Sequence, residues 1–199
     1  MKKKIIIAVL IVVFIVIISA VVISNNDNNN QKYLVNYIND LGYKFDEDGS
    51  IYKRIVSNNS LDEYYRDIKS NKDSHYLEYY FSMDSYMFIQ LYMAHSNGVN
   101  NVFNAMSDLN SNEITFTYEI TKKDASLILE GTYSIDNSIP YSCDAVSLKK
   151  ASNDAVAGYC DNALLLVQEF VNEKKNLLND EEFRNIVNMP KSEIVIRDK

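Results

Sequence analysis

The chain has few of the residues that mark flexible or repetitive sequences. Its 199 residues include five glycines, two prolines and no tryptophan. This composition excludes a low-complexity spacer or a collagen-like array, because such sequences are rich in glycine and proline. Loops that cradle phosphate groups need clustered glycines, and the five glycines here are scattered. The sequence therefore indicates an ordered domain without a nucleotide-binding loop.

Basic residues are scarce beyond the N-terminus. Lys2, Lys3 and Lys4 stand together, and no cluster of lysine or arginine longer than a pair follows them. Without these three lysines the chain has 17 basic and 27 acidic residues, which is a net charge of −10. A surface of this charge repels polyanions. We therefore predict that nucleic acid is not a partner.

Residues 5–23 form a run of apolar or small residues in which Ser19 is the only polar one. Nineteen residues in a helix span about 30 Å, the thickness of the hydrocarbon core of a bilayer. Lysines precede the run, and no positive charge follows it before Lys32. This asymmetry places the N-terminus in the cytoplasm and the C-terminal domain outside. We predict that residues 1–24 are a signal anchor, a single transmembrane helix in the cell membrane.

A cleaved signal peptide is the alternative interpretation of this segment. Its apolar region is usually about 7 to 15 residues long and ends in a small-x-small site. Ile18, Ser19 and Ala20 are the nearest approach to such a site, and the run here is longer. Val21 stands where a lipoprotein would have its lipidated cysteine, which excludes that route. If the segment is cleaved, the protein is secreted, and in both interpretations the rest of the chain lies outside.

The two cysteines, Cys143 and Cys160, both follow the apolar run. Outside the cell an even number of cysteines permits a disulfide, which would stabilise the fold by about 3 kcal/mol. On one continuous helix, 17 positions would separate the cysteines by about 25 Å. The bond therefore requires a break between them, for which Gly158 is a candidate. The alternative is two free thiols that pack as small apolar residues.

After a polar spacer at residues 25–30, we predict one extracytoplasmic α+β domain over residues 31–190. Its first part contains a helix that ends at Gly42 and a hairpin that turns at residues 46–49. Ser60 and Glu63 match a capping box, which predicts that a short helix follows.

From His75 to Ile135 the apolar residues alternate with polar ones, which predicts an antiparallel β-meander of four to five strands flanked by helices. From about residue 154 a broad apolar stripe predicts a long C-terminal helix that packs on one sheet face. Residues 191–199 are predicted to be a tail or an edge strand.

One segment resembles the middle of a calcium-binding EF-hand loop. Asp46, Asp48 and Gly49 match its third, fifth and sixth positions. Lys44 stands at the first ligand position, however, and Ile55 stands where the loop needs a bidentate glutamate. We therefore interpret these acidic residues as a hairpin turn that faces water.

Other chemistry has little support in the sequence. The two histidines, His75 and His95, lack a third spaced metal ligand, and no Gly-x-Ser-x-Gly motif occurs. We therefore predict no metal, no cofactor and no catalytic residue.

Tyrosines are concentrated between residues 64 and 92, where seven occur. Strands send successive side chains to opposite faces, so Tyr79 and Tyr80 cannot both be buried. Tyrosine is favoured at interfaces because it buries a large area and keeps a polar tip. We therefore predict an interaction patch of Tyr65, Tyr76, Tyr80, Tyr86 and Tyr92.

Together these observations predict a membrane-anchored extracytoplasmic binding or interaction module, associated with a bacterial envelope and not enzymatic. Its partner would be a protein or an envelope ligand. Two alternatives remain open, an extracytoplasmic enzyme without a recognisable motif, such as a hydrolase of envelope material, and a subunit of a membrane complex.

Overall fold

The computed structural model describes residues 32–45, 51–82 and 85–188. Its centre is one antiparallel sheet of eight strands, and the order of the strands in space is their order in the chain. The strands are β1 (Lys44–Phe45), β2 (Ile51–Ile55), β3 (Ser74–Ser82), β4 (Met87–Ser96), β5 (Val99–Asp108), β6 (Glu113–Lys122), β7 (Ala125–Ser134) and β8 (Ser142–Lys149). The helices are α1 (32–40), α2 (Leu61–Lys69), α3 (Asn153–Leu177) and α4 (Glu181–Val187).

The predicted fold is wrong in its number of strands. The meander has eight strands where four to five were expected, because the β1–β2 hairpin joins β3 and because β8 joins β7. In addition, none of the helices within the described ranges is both long and apolar enough to cross a membrane. The transmembrane signal anchor predicted over residues 1–24 and the tail predicted over 191–199 lie outside the described residues.

The main hydrophobic core lies between the sheet and α3. In β6 every second side chain is buried, namely Ile114, Phe116, Tyr118 and Ile120. The apolar stripe of α3 meets them and their neighbours on β5 and β7. The rings of Phe88 and Phe170 lie 4.9 Å apart between centroids, and those of Tyr118 and Tyr159 lie 6.0 Å apart. We call this side of the sheet the inner face.

The short helix α2 covers part of the other face. Its capping box is confirmed, since the Glu63 backbone N–H donates to Ser60 Oγ at 3.2 Å and Ser60 N–H donates to Glu63 Oε2 at 2.9 Å. Behind this cap, Tyr64 packs against Tyr76 of β3 and Met93 of β4 in a second apolar cluster. The helix therefore shields the β3–β4 region, and within the described ranges it does not extend over β6 to β8.

Cys143 and Cys160 lie at disulfide distance, with an S–S separation of 2.06 Å. The bond joins β8 to α3 and so fastens the last strand of the sheet to the helix on the inner face. The break between the two cysteines lies at residues 150–152, where β8 ends and α3 begins. Gly158 is not the break, because it lies within α3.

Candidate functional site

The strands β5 to β8 place alternate side chains on opposite sides of the sheet, and the contrast in exposure between the two sides is clearest in β6. In β6 the buried residues alternate with Glu113, Thr115, Thr117 and Glu119, which are all exposed. The strand register aligns these residues with every second residue of β5 and β7. We call this solvent-facing side of β5 to β8 the outer face.

A concavity of about 410 Å³ lies in the outer face. Four hydroxyl groups line it, from Thr115, Thr117, Thr132 and Ser142. The last two are linked, since their hydroxyl oxygens lie 3.0 Å apart and the Thr132 backbone N–H donates to Ser142 Oγ at 3.1 Å. The concavity therefore has a wall of polar groups that is partly ordered by contacts within the sheet.

Two carboxylates lie side by side in this concavity. Glu130 of β7 is directly opposite Asp144 of β8, and Thr117 of β6 is opposite Glu130 on its other side. Like charges directly opposite each other destabilise a strand pair. Within the described ranges, neither carboxylate forms a salt bridge or a hydrogen bond. The site therefore holds two negative charges without a described cation.

Apolar side chains flank the carboxylates on the two outermost strands of the concavity. A register shift in β8 pairs Leu129 with Ala145 and Ile128 with Ser147, so Val146 is an extra residue in a bulge. Val146 is 54% exposed, and Met106 on β5 is 46% exposed. Because bulges redirect side chains and often occur beside binding sites, this one places an apolar group at the rim of the concavity.

The floor of the concavity includes a glycine that no other residue can replace. A Cβ atom on Gly131 would lie 2.1 Å from the Ser142 carbonyl oxygen and 2.3 Å from the Phe116 ring. The ring instead lies against the bare backbone, and its centroid is 6.1 Å from that of Tyr141. The close packing of strands β6 to β8 at this point therefore requires a residue without a side chain at position 131.

The five tyrosines of the predicted patch do not share one surface. Tyr76 and Tyr86 are buried, the first beneath α2 and the second in the main core. Tyr86 also precedes β4 in a turn with a positive φ of 52°, so it does not continue the strand alternation. Of the others, Tyr65 is exposed on α2, whereas Tyr80 and Tyr92 are half-buried on opposite faces of the sheet.

Tyr76 and Tyr80 instead belong to a network around a buried carboxylate. Both hydroxyls donate to Glu78, whose other partner is Lys53, with Nζ 2.8 Å from Oε2. Burial, followed by the Glu78 contact, raises the pKa of Tyr76. The sequence shows only that these residues alternate along one face of a strand, which does not distinguish a satisfied network from an exposed patch.

A second buried charge, Lys174 of α3, was not predicted. Its Nζ donates to Ser107 Oγ at 2.8 Å, to the Asp108 carbonyl at 2.9 Å and to the Ser111 carbonyl. Burial lowers the pKa of Lys174 to about 8, while Asp108 acts in the opposite direction. An ammonium group has three donors, and all three are used here. The lysine therefore joins α3 to the β5–β6 turn and has no donor left for a ligand.

The two histidines do not converge. His95 is buried, with Nδ1 2.7 Å from Asn100 Oδ1 and Nε2 3.2 Å from Asn71 Oδ1. His75 pairs with Ala94 and is exposed on the opposite face. In the part of the chain that the structure describes, no three His, Cys, Asp or Glu side chains are grouped to hold a metal ion. Most of the EF-hand-like segment, residues 46–50, lies outside that part.

Comparisons with known proteins gave no match to this chain among family models, curated proteins or solved structures.

Proposed function

We propose that this chain is a binding module that is held at a membrane by its N-terminal segment and contacts a partner outside the cell through its outer face. The partner is a protein or an envelope ligand. The proposal retains the predicted class of function and moves the predicted surface from the tyrosines to the exposed side of β5 to β8.

The contrast between the two sides of one strand carries this proposal. In β6 the inner side chains are buried under α3, whereas the outer ones remain in solvent. A concavity with convergent polar groups and exposed apolar residues is typical of a binding surface. The outer face is therefore available to a ligand around β6, because the exposed side chains there do not pack in a core of the described residues.

Two features support a location outside the cell. The lysines before residues 5–23 favour a cytoplasmic N-terminus. Disulfides persist mainly in oxidising compartments, and Cys143 and Cys160 lie at disulfide distance. If this location is correct, protease added to intact cells should degrade the domain. Degradation that occurs only after the cells are opened would contradict it.

A site-specific cross-linking experiment tests the binding function. A photoreactive amino acid is placed at Thr117 on the outer face of the full chain, and in a matched control it replaces Leu165, which is 60% exposed on α3. Illumination of intact cells should give a discrete adduct from position 117 and not from position 165. The same adduct pattern from both positions, or no adduct from either, would contradict the proposed function.

A further inference from the structure

We infer that the partner of the outer face is an extended, basic polypeptide segment that places a lysine side chain between Glu130 and Asp144. This inference rests on the proposed binding function and specifies the chemistry of the ligand. The charge of the face, the shape of the concavity and the edge of β8, which pairs with no other strand within the described ranges, support it.

The charge of the outer face is strongly one-sided. The register places four carboxylates on this side of β6 to β8, with one lysine, Lys149, at its end. The carboxylates belong to Glu113, Glu119, Glu130 and Asp144. Complementary charge steers encounter and selects among partners. A second copy of this chain is a poor match, because the chain beyond Lys4 has a net charge of −10.

The shape of the concavity fits a lysine side chain better than a compact cation. Lysine carries its ammonium on a flexible four-carbon stem that packs along apolar surface. Glu130 and Asp144 supply the negative charge, and Val146 and Met106 supply exposed apolar surface on either side. A metal ion would use only the carboxylates and would leave the two apolar groups without a role.

The edge of the sheet explains why the partner should be extended. Within the described ranges β8 is the last strand, and its second edge pairs with no other strand. Its register with β7 is regular from Ser142 to Ala145, before the bulge. A peptide that adds to such an edge gains backbone hydrogen bonds and places alternate side chains on each face. A lysine opposite Asp144 would then lie on the outer face one strand beyond Asp144, and its four-carbon stem can extend past Asp144 towards Glu130.

Titration with pentalysine tests this inference on the full chain in nonionic detergent. The double variant Glu130→Gln/Asp144→Asn should raise the dissociation constant about tenfold, because it removes two exposed charge contacts. The matched control is Glu119→Gln, which removes a carboxylate of the same face that does not line the concavity. This control should change the constant by less than about twofold. Pentalysine with acetylated side chains should not bind.

Several outcomes would overturn the inference. Equal effects of Glu130→Gln and Glu119→Gln would show attraction to an acidic surface without a site. Binding of Ca²⁺ alone that depends on Glu130 would assign the pair to a metal ion. Concentration-dependent dimers that the double variant abolishes would assign the face to a second copy. If pentalysine binds only after residues 189–199 are deleted, the occupant is the C-terminal segment of this chain.

The cross-linking experiment separates this inference from the proposed function. If pentalysine does not bind but a photoreactive residue at position 117 still gives a discrete adduct, the ligand class is wrong and the binding function remains. If that adduct is also absent, both are wrong.

Discussion

The two faces of strand β6 have opposite environments although their residues alternate along the same ten positions. On the inner face, Ile114, Phe116, Tyr118 and Ile120 are buried against α3. On the outer face, threonines and glutamates remain in water. Threonine favours strands through its β-branch and also presents a hydroxyl, so it maintains the strand without requiring a core. The comparison shows that the fold needs the inner set, whereas the outer set is free to serve binding.

The largest expected effect comes from the inner face. Replacing Phe170 by Ala should lower the free energy of unfolding by about 4 kcal/mol, because it removes a fully buried ring that contacts Phe88. The control is Leu165→Ala on the exposed side of the same helix, which should cost less than about 0.5 kcal/mol. Denaturant unfolding of both variants measures the difference. Equal losses would mean that α3 does not cover the sheet as described.

The disulfide should have the next largest effect, because it joins the inner-face helix to the outermost strand β8. Its removal in the double variant Cys143→Ala/Cys160→Ala should lower the free energy of unfolding by about 3 kcal/mol for a loop of this length. A reducing agent should lower the stability of the unmodified chain by a similar amount and leave the double variant unchanged. An unmodified chain that is insensitive to reduction would contradict this prediction.

Lys174 lies at the edge of the core, and its buried ammonium group should make the free energy of unfolding depend on pH. Burial lowers its pKa to about 8, below the ordinary value of 10.5, so between these values the unfolded chain binds more protons than the folded chain. The contribution of Lys174 to stability should therefore rise, by about 2 kcal/mol between pH 7 and pH 9.5.

Lys174→Met provides the comparison for this prediction. The variant should be less stable overall because it leaves the Asp108 and Ser111 carbonyls without their donor. It should also lack the contribution of Lys174, so the difference in stability between the two chains should change by about 2 kcal/mol between pH 7 and pH 9.5. Parallel pH profiles of the two chains would show that the lysine is not the source of the rise. Ionisation of tyrosines in the unfolded chain favours unfolding increasingly above about pH 9, and because it affects both chains alike, the quantity to compare is the difference between their two pH profiles.

The smallest effect on stability is expected from the outer face. Thr117→Ala and Glu130→Gln should each change the free energy of unfolding by less than about 0.5 kcal/mol, because both side chains are exposed. Glu130→Gln also relieves a like-charge pair, so its effect should be neutral or slightly stabilising. A loss above about 1 kcal/mol from either variant would mean that the outer face contributes to the fold.

The sequence predicted those elements in which one face is buried. The alternation of Ile114 to Ile120 identified β6, and Ser60 and Glu63 identified the start of α2. It did not predict β8, because six of the eight residues of that strand are exposed and so leave no alternating pattern. The number of strands was underestimated for this reason and because the β1–β2 hairpin was not expected to extend the same sheet.

The candidate site could be predicted less well than the fold. The Glu130–Asp144 pair depends on the register between β7 and β8, and β8 was not predicted. The tyrosine patch was placed from the concentration of tyrosines and from strand alternation, which cannot show that α2 covers Tyr76 or that Tyr86 enters the core from a turn. Alternation shows that two residues face opposite sides of a sheet. Segments that are distant in the sequence decide which side is buried, because they pack against that side and leave the other in water.

Amide chemical-shift mapping of the full chain in nonionic detergent tests the central claim most directly. On addition of pentalysine, we expect shifts at Gly131, Asp144 and Val146, and none along the exposed side of α3. The shifts should disappear in Glu130→Gln/Asp144→Asn while the rest of the spectrum stays unchanged. Shifts spread over the acidic surface, or centred on α3, would contradict the assignment of binding to the outer face.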